Sequence, residues 1–264
     1  MERKGALPLN YDELLNTSTD IAFALLESGA EIYRVEEAIQ RIFRAYGVEH
    51  GAVFAIPTLL ILSVQDDKGH PLTEIRRLGG HGSDLARVDA YNNLCRQICQ
   101  ERPSFEKIRR ELARIARGPR YSVLQQTAAF AMVAFGFTLL FGGGLADAVC
   151  SLLCGAAVRV VLYQFQRFEA NSFFTTIMAS FTAAALAFMG VQLGLGQNLD
   201  KIIIGVLMNL VPGVALTNVM RDVIAGDLIA GLTKLVEALL VATGIALGTG
   251  VALSLGRALM GVIA

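Results

Sequence analysis

PGVALTNVMRDVIAGDLIAG, residues 212–231, sets Arg221, Asp222 and Asp227 and four helix-breaking residues, Pro212, Gly213, Gly226 and Gly231, directly behind an apolar stretch. Hydrocarbon neither hydrogen-bonds a broken backbone nor solvates an ionised side chain. Such a run is tolerated at membrane depth only where protein buries it or where it lines a wet cavity. It therefore reads as a transport site, and the chain as a component of a membrane transporter.

The composition around that run changes sharply along the chain. Of 23 Lys and Arg residues, 17 precede Tyr121 and 6 follow it; the 23 Asp and Glu residues divide the same way, and His50, His70 and His81 all fall in the first part. The mean hydropathy of +0.52 thus averages a water-facing segment with a strongly apolar one. Gly118-Pro119 supplies a helix-stopping boundary. The expected domains are residues 1–120, cytosolic, and residues 121–264, membrane-embedded.

Beyond residue 120 there are apolar stretches at 123–141, 145–165, 173–191, 202–220 and 235–255. Nineteen residues at ~1.5 Å rise span about 28 Å, close to the hydrocarbon thickness of a bilayer. The first thirteen residues, MERKGALPLNYDE, hold no apolar core of signal-peptide length, so the amino terminus is expected to stay in the cytosol. Arg109, Arg110, Arg114, Arg117 and Arg120 just ahead of the first stretch agree, by the excess of positive charge on the inner side of membranes. The expected fold is an α+β cytosolic domain followed by an α-helical membrane domain of five transmembrane helices, multi-pass in the cell inner membrane.

In the first domain, apolar residues recur at helical spacing over 12–28 and 30–46, with Ser28-Gly29 and Gly47 as stops. Residues 53–65 and 72–78 read as strands joined at the polar turn 66–69. Helices are expected again at 84–101 and 104–117, giving the order α-α-β-β-α-α.

Cys95 and Cys99, and Cys150 and Cys154, each lie one helical turn apart, but no second ligand pair of recognised spacing accompanies either, so buried structural thiols are expected and no metal or other cofactor. Gly142-Gly143-Gly144 lacks the lysine of a phosphate-binding loop and reads as a turn between helices. No Ser-His-Asp arrangement or carboxylate pair points to catalysis. Among ionisable groups near the spans, Asp147, Asp200, Arg159 and Lys234 fit the membrane interface, the last two by snorkelling. Asn209, Asn218, Arg221, Asp222 and Asp227 are harder to place there. Pro212-Gly213 should interrupt the fourth stretch and free backbone groups, with the polar residues beside it pairing with those groups or with a carboxylate substrate. The alternative is an Arg–Asp pair serving only as helix glue.

Two segments, SGAEIYRVEEAIQRIFRAYGVE with FAIPTLLILSV (residues 28–49 and 54–64) and PGVALTNVMRDVIAGDLIAG (residues 212–231), resemble the threonine/serine exporter (ThrE) family in order and over nearly the whole chain. The resemblance implies proton-driven secondary export of small amino acids or carboxylates across the inner membrane, without an ATP site. The chain is similar to a split form of the family, associated with succinate export, in which a separate small membrane subunit of the YjjB type completes the transporter. The implied partners are therefore a small-molecule substrate, membrane lipid, and that complementary subunit or a second copy of the chain, with no nucleic acid. The family motif carries over Glu31, Arg34 and Glu37 in the amino-terminal part, and Pro212, Gly213, Asn218, Arg221, Asp222, Gly226 and Asp227 in the membrane part. Arg221 is assigned to a substrate carboxylate, Asp222 or Asp227 to proton coupling, and Pro212-Gly213 to the break that permits alternating access. For Glu31, Arg34 and Glu37 a solvated salt-bridged helix face stands beside a gating or regulatory surface.

The leading reading is thus an exporter subunit for threonine, serine or a dicarboxylate such as succinate. A membrane-anchored enzyme with a hydrolase-like soluble domain is the second, and a non-transporting scaffold subunit the third. An anchor alone has no use for PGVALTNVMRD at membrane depth, whereas a hydrolase requires a nucleophile and base in the first 120 residues.

Overall fold

The computed structural model describes residues 9–79, 82–119, 121–168 and 170–259; Arg120 and His81 lie outside them. The chain divides into two compact units, Met1–Pro119 with Thr217–Lys234, and Arg120–Leu216 with Leu235–Ala264. This corrects the expected fold. No self-contained α+β domain precedes the membrane part, because eighteen residues from far along the chain complete the first unit. Nor are there five spanning helices: among the described residues four are long and apolar enough to cross a bilayer. The stretch 202–220 is the exception. It is broken into two helices, with Met208–Pro212 between them, and the second continues into the charged run.

The first unit opens with α1 (Tyr11–Glu27) and α2 (Ile32–Ala45), continues as a sheet of β1 (Gly51–Ile56), β2 (Leu59–Gln65) and β3 (Pro71–Arg77), and closes its amino-terminal part with α3 (Leu85–Glu101) and α4 (Phe105–Ala116). Residues 53–65, expected as one strand, are two strands, because Pro57 cannot donate to a ladder and instead opens a two-residue turn with Thr58. The sheet is an antiparallel meander in the order β1-β2-β3, with Ile56 opposite Leu59 and Gln65 opposite Pro71. The second turn is fixed by the Asp66 carboxylate, which accepts from the backbone N–H of Lys68 at 2.9 Å and of His70 at 2.8 Å. Leu60, Leu62 and Val64 line one face of β2 and join Leu14, Ile21, Leu25, Ile39, Phe43 and Ile98 in a core of large aliphatic side chains. Ala230 from the distant segment is buried in the same core.

The second unit is built on other principles. It contains α5 (Val123–Leu140), α6 (Leu145–Arg167), α7 (Ser172–Gln192), α8 (Leu199–Leu207) and most of α10 (Leu228–Leu259), while α9 (Gly213–Ala225) passes from the second unit into the first. Ser122 starts α5 with a reciprocal cap, its hydroxyl accepting from Gln125 N–H and the Gln125 side chain accepting from its own N–H. The buried interior is rich in small residues, Ala134, Ala148, Ala179, Ala183, Ala184 and Ala187, beside Val158, Ile202 and Val206, whereas Leu124, Leu140, Leu153 and Leu239 face outward. Lipid is as apolar as leucine, so large side chains gain nothing by turning inward, and close helix approach through small residues supplies the cohesion. Asp147 at the start of α6 is fully buried, accepting from the N–H of Gly144, Gln197 and Asn198 and from Asn198 Nδ2 at 2.6–2.9 Å. It ties the α5–α6 turn to the start of α8 and is a structural clasp, not an interfacial charge.

Helices α7 and α10 touch at Thr176 with Gly244, Ser180 with Gly248, and Phe188 with Gly256, so they run parallel. A methyl at Gly248 would collide with the Ser180 hydroxyl and the Ile177 carbonyl, whereas at Gly250 it would meet open space. Gly248→Ala is expected to destabilise the second unit by about 1–3 kcal/mol by overpacking. Gly250→Ala, on the same helix, should leave stability nearly unchanged, and thermal unfolding of the detergent-solubilised chain separates the two.

Candidate functional site

The placement of Glu31 begins with the turn between α1 and α2. Gly29 adopts φ +92°, in the left-handed region, and a side chain there would strike the Gly82 carbonyl. Gly82 N–H donates to Glu27 O at 2.8 Å and Asp84 N–H to Ser28 O at 2.9 Å, fixing the turn. Glu31 is then the N-cap of α2, yet its carboxylate makes no capping bond. It is 7% exposed and lies between two guanidinium groups, Arg34 on Oε2 and Arg221 on Oε1. Both arginines keep about half their side chains in solvent. Arg34 also donates to the Tyr33 hydroxyl at 3.1 Å.

Arg221 is brought to Glu31 by the hairpin of α9 and α10. Gly226, at φ +96°, ends α9, after which Asp227 N–H donates back to Asp222 O and Gly231 N–H to Asp227 O, each at 2.9 Å. Across the hairpin Lys234 Nζ donates to Asp222 Oδ2 at 2.7 Å. Asp222 is fully buried and Lys234 nearly so, and Asp222 Oδ1 has no partner. The Asp227 carboxyl, in the turn, is held above its ordinary value by burial and by the negative charge of Asp222, against the pull of Lys234. Glu36, one turn further along α2, is raised as well, by burial first and by Asp227, against the Ala55 N–H that donates to it at 2.8 Å.

The first unit therefore unites Glu31, Arg34, Arg221, Asp222 and Asp227, with Asn218 half-buried on α9. Glu37 is apart, in a solvated pair with Arg41 at 2.6 Å. Asn209, Pro212 and Gly213 belong to the second unit. Asn209 Nδ2 donates to the carbonyls of Phe130 and Val206, both at 3.2 Å. Glu36 belongs to the cluster but was not singled out in the sequence, although a carboxylate next to the apolar stripe of α2 was a signal. Lys234, expected to snorkel at the membrane interface, is instead nearly buried and paired with Asp222. Cys95 is buried, its thiol pushed up to about 12 by that burial, which makes it a packing residue.

Chemically, the cluster joins an ion pair locked at Asp222 and Lys234 with two carboxyls that retain protons more readily than free ones. Asp222→Asn leaves a buried ammonium unpaired and should destabilise the first unit by about 3–5 kcal/mol, most of it recovered when Asp222→Leu is combined with Lys234→Met. Asp227 behaves differently. Its folded form binds the proton more tightly than the unfolded chain, so its contribution to stability is complete below the unfolded value and is lost as pH rises toward the folded one. Asp227→Asn should thus raise the melting temperature at neutral pH and have no effect below about pH 3.8, the unfolded carboxyl value.

Residues 17–256 match the family described as "Putative threonine/serine exporter". Over 246 residues the chain is 21% identical to a Mycobacterium tuberculosis protein named "Probable threonine/serine exporter", a match that covers 92% of this chain and 46% of the relative. The chain thus spans about half the length of that curated relative. No solved structure matches. With a family match across most of its length and four apolar helices of spanning length, the chain is a membrane protein and belongs to the threonine/serine exporter family.

Proposed function

We propose that the chain is one subunit of a secondary-active exporter of small carboxylate-bearing solutes, threonine and serine or a dicarboxylate such as succinate, in the inner membrane with its amino terminus in the cytosol. The observation that carries this reading is the interrupted segment of the second unit. Helix α8 stops at Leu207 after nine residues, and helical structure resumes only at Gly213. Broken helices at membrane depth are the usual construction of a transporter's binding region, while an anchor has no need of one. The descriptions of the family and of the relative as threonine/serine exporters support the solute class. The arginines at 109, 110, 114 and 117 support a cytosolic first unit.

Proton coupling belongs to Asp227 with Glu36, whose carboxyls are raised and adjacent in charge. Arg221 holds Glu31 and closes the first unit around the α9–α10 hairpin. Completion of the pathway by a complementary membrane subunit or a second copy is part of the same proposal and rests on the resemblance to the split form of the family.

Counterflow of labelled threonine, serine and succinate into proteoliposomes tests the reading. Uptake is expected with the complementary subunit and a pH gradient directed outward, acid inside the vesicle, is expected to accelerate it by proton–solute exchange, with little uptake by the isolated monomer. Absence of counterflow for all three solutes in both preparations contradicts it. A cysteine at exposed Glu106 should react with impermeant maleimide only from the cytosolic side, and labelling from outside intact cells contradicts the orientation.

A further inference from the structure

Arg159 lies within the second unit, eight residues or about 12 Å before the end of α6, and is 6% exposed. Its Nε and Nη2 both donate to one oxygen, Oε1 of Gln126 on α5, while Nη1 is buried without any partner. The guanidinium is flanked by the rings of Phe130 at 5.8 Å and Tyr163 at 6.0 Å. No carboxylate of the described residues pairs with it. A snorkelling arginine would carry its head to water. This one is enclosed, with a full charge answered by a single amide carbonyl and two ring faces, an arrangement that leaves a costly buried donor unmet.

The location adds a second, independent fact. Phe130, whose ring lies beside Arg159, offers its backbone carbonyl to Asn209, the second residue past the end of α8. The guanidinium and the interrupted segment thus both adjoin Phe130, one at its ring and the other at its backbone carbonyl. Unlike Arg221, which Glu31 already neutralises, Arg159 keeps one buried guanidinium nitrogen without an acceptor.

We propose that Arg159, positioned by Gln126 and framed by Phe130 and Tyr163, binds the carboxylate of the transported solute. The proposal rests on the exporter reading and specifies the residue that recognises the group common to threonine, serine and succinate. Guanidinium geometry suits a planar carboxylate, and replacement by lysine would keep the charge but lose the fork.

The test uses the full chain in lipid nanodiscs. Phenylglyoxal modification of Arg159 is followed by mass spectrometry with no solute, with threonine or succinate, and with threoninol or succinamide, which lack the carboxylate. Solute binding is measured in parallel by thermal shift. Threonine or succinate should slow modification of Arg159 at least fivefold, the carboxylate-free analogues should not, and Arg159→Lys should weaken binding about tenfold or more. Solute binding with equal Arg159 reactivity in the empty and loaded protein overturns the inference and leaves the exporter reading standing. Absence of binding by any carboxylate solute overturns both. Protection that follows the anionic-lipid content of the nanodisc instead of the solute assigns the site to a lipid phosphate and likewise overturns the inference. The chemical readout is made on the unaltered protein, so a variant that fails to fold does not remove the test.

Discussion

Everything distinctive in the first unit depends on neutralising the charges carried by residues 217–234. Left in hydrocarbon, Arg221, Asp222 and Lys234 would each carry a penalty of several kcal/mol. The fold removes them instead. Lys234 answers Asp222 within the hairpin at 2.7 Å, and Glu31, more than 180 residues earlier in the chain, answers Arg221. Ala230 then enters the aliphatic core of the same unit, so packing and charge act together. A buried pair of this kind adds little net stability, because desolvation offsets the attraction, yet removing one partner is severe. It therefore specifies which segment belongs to the unit more than it strengthens the unit.

The second unit obeys the opposite solvent. Its interior is rich in alanine, with Cys150, Cys154, Val158, Ile202 and Val206 among its residues, because in lipid close approach distinguishes one packing from another. Asp147 has four donors, Asn209 is held by two carbonyls, and Ser180 donates to carbonyls of its own helix and of Gly244 on α10. Among the described residues of this unit, the Thr249 hydroxyl and Arg159 Nη1 are buried without a partner, and only the second carries charge. Against that background Arg159 stands out, with a charge that its surroundings do not match.

The apolar runs at 123–141, 145–165 and 173–191 could be read directly, since a stretch of that length has few uses other than a spanning helix, and each is one helix in the structure. The stretch 202–220 misled, because hydropathy averages over Pro212 and Gly213 and does not see that two short helices replace one. The strand at 53–65 misled similarly: Pro57 lay in plain view, but its turn depends on the pairing of Ile56 with Leu59. Site residues were legible as types and not as partners. Arg221 called for a carboxylate, and no periodicity or spacing connects positions 31 and 221. Asp147 and Arg159, set aside as interfacial, are both buried, for contacts made by residues distant in sequence. Glu36 was concealed among its neighbours Glu31 and Glu37, because three carboxylates on one helix look alike until the fold buries some and not others.

The central claim is that residues 217–234 complete the first unit through Glu31 and Arg221. A double-mutant cycle over Glu31→Gln and Arg221→Gln, read by thermal unfolding and by amide exchange along α2, measures that link directly. The account predicts a coupling energy of about 0.5–3 kcal/mol, with α2 losing protection equally in either single variant and little further in the double. Additive effects, with exchange along α2 unchanged in Arg221→Gln, would contradict it.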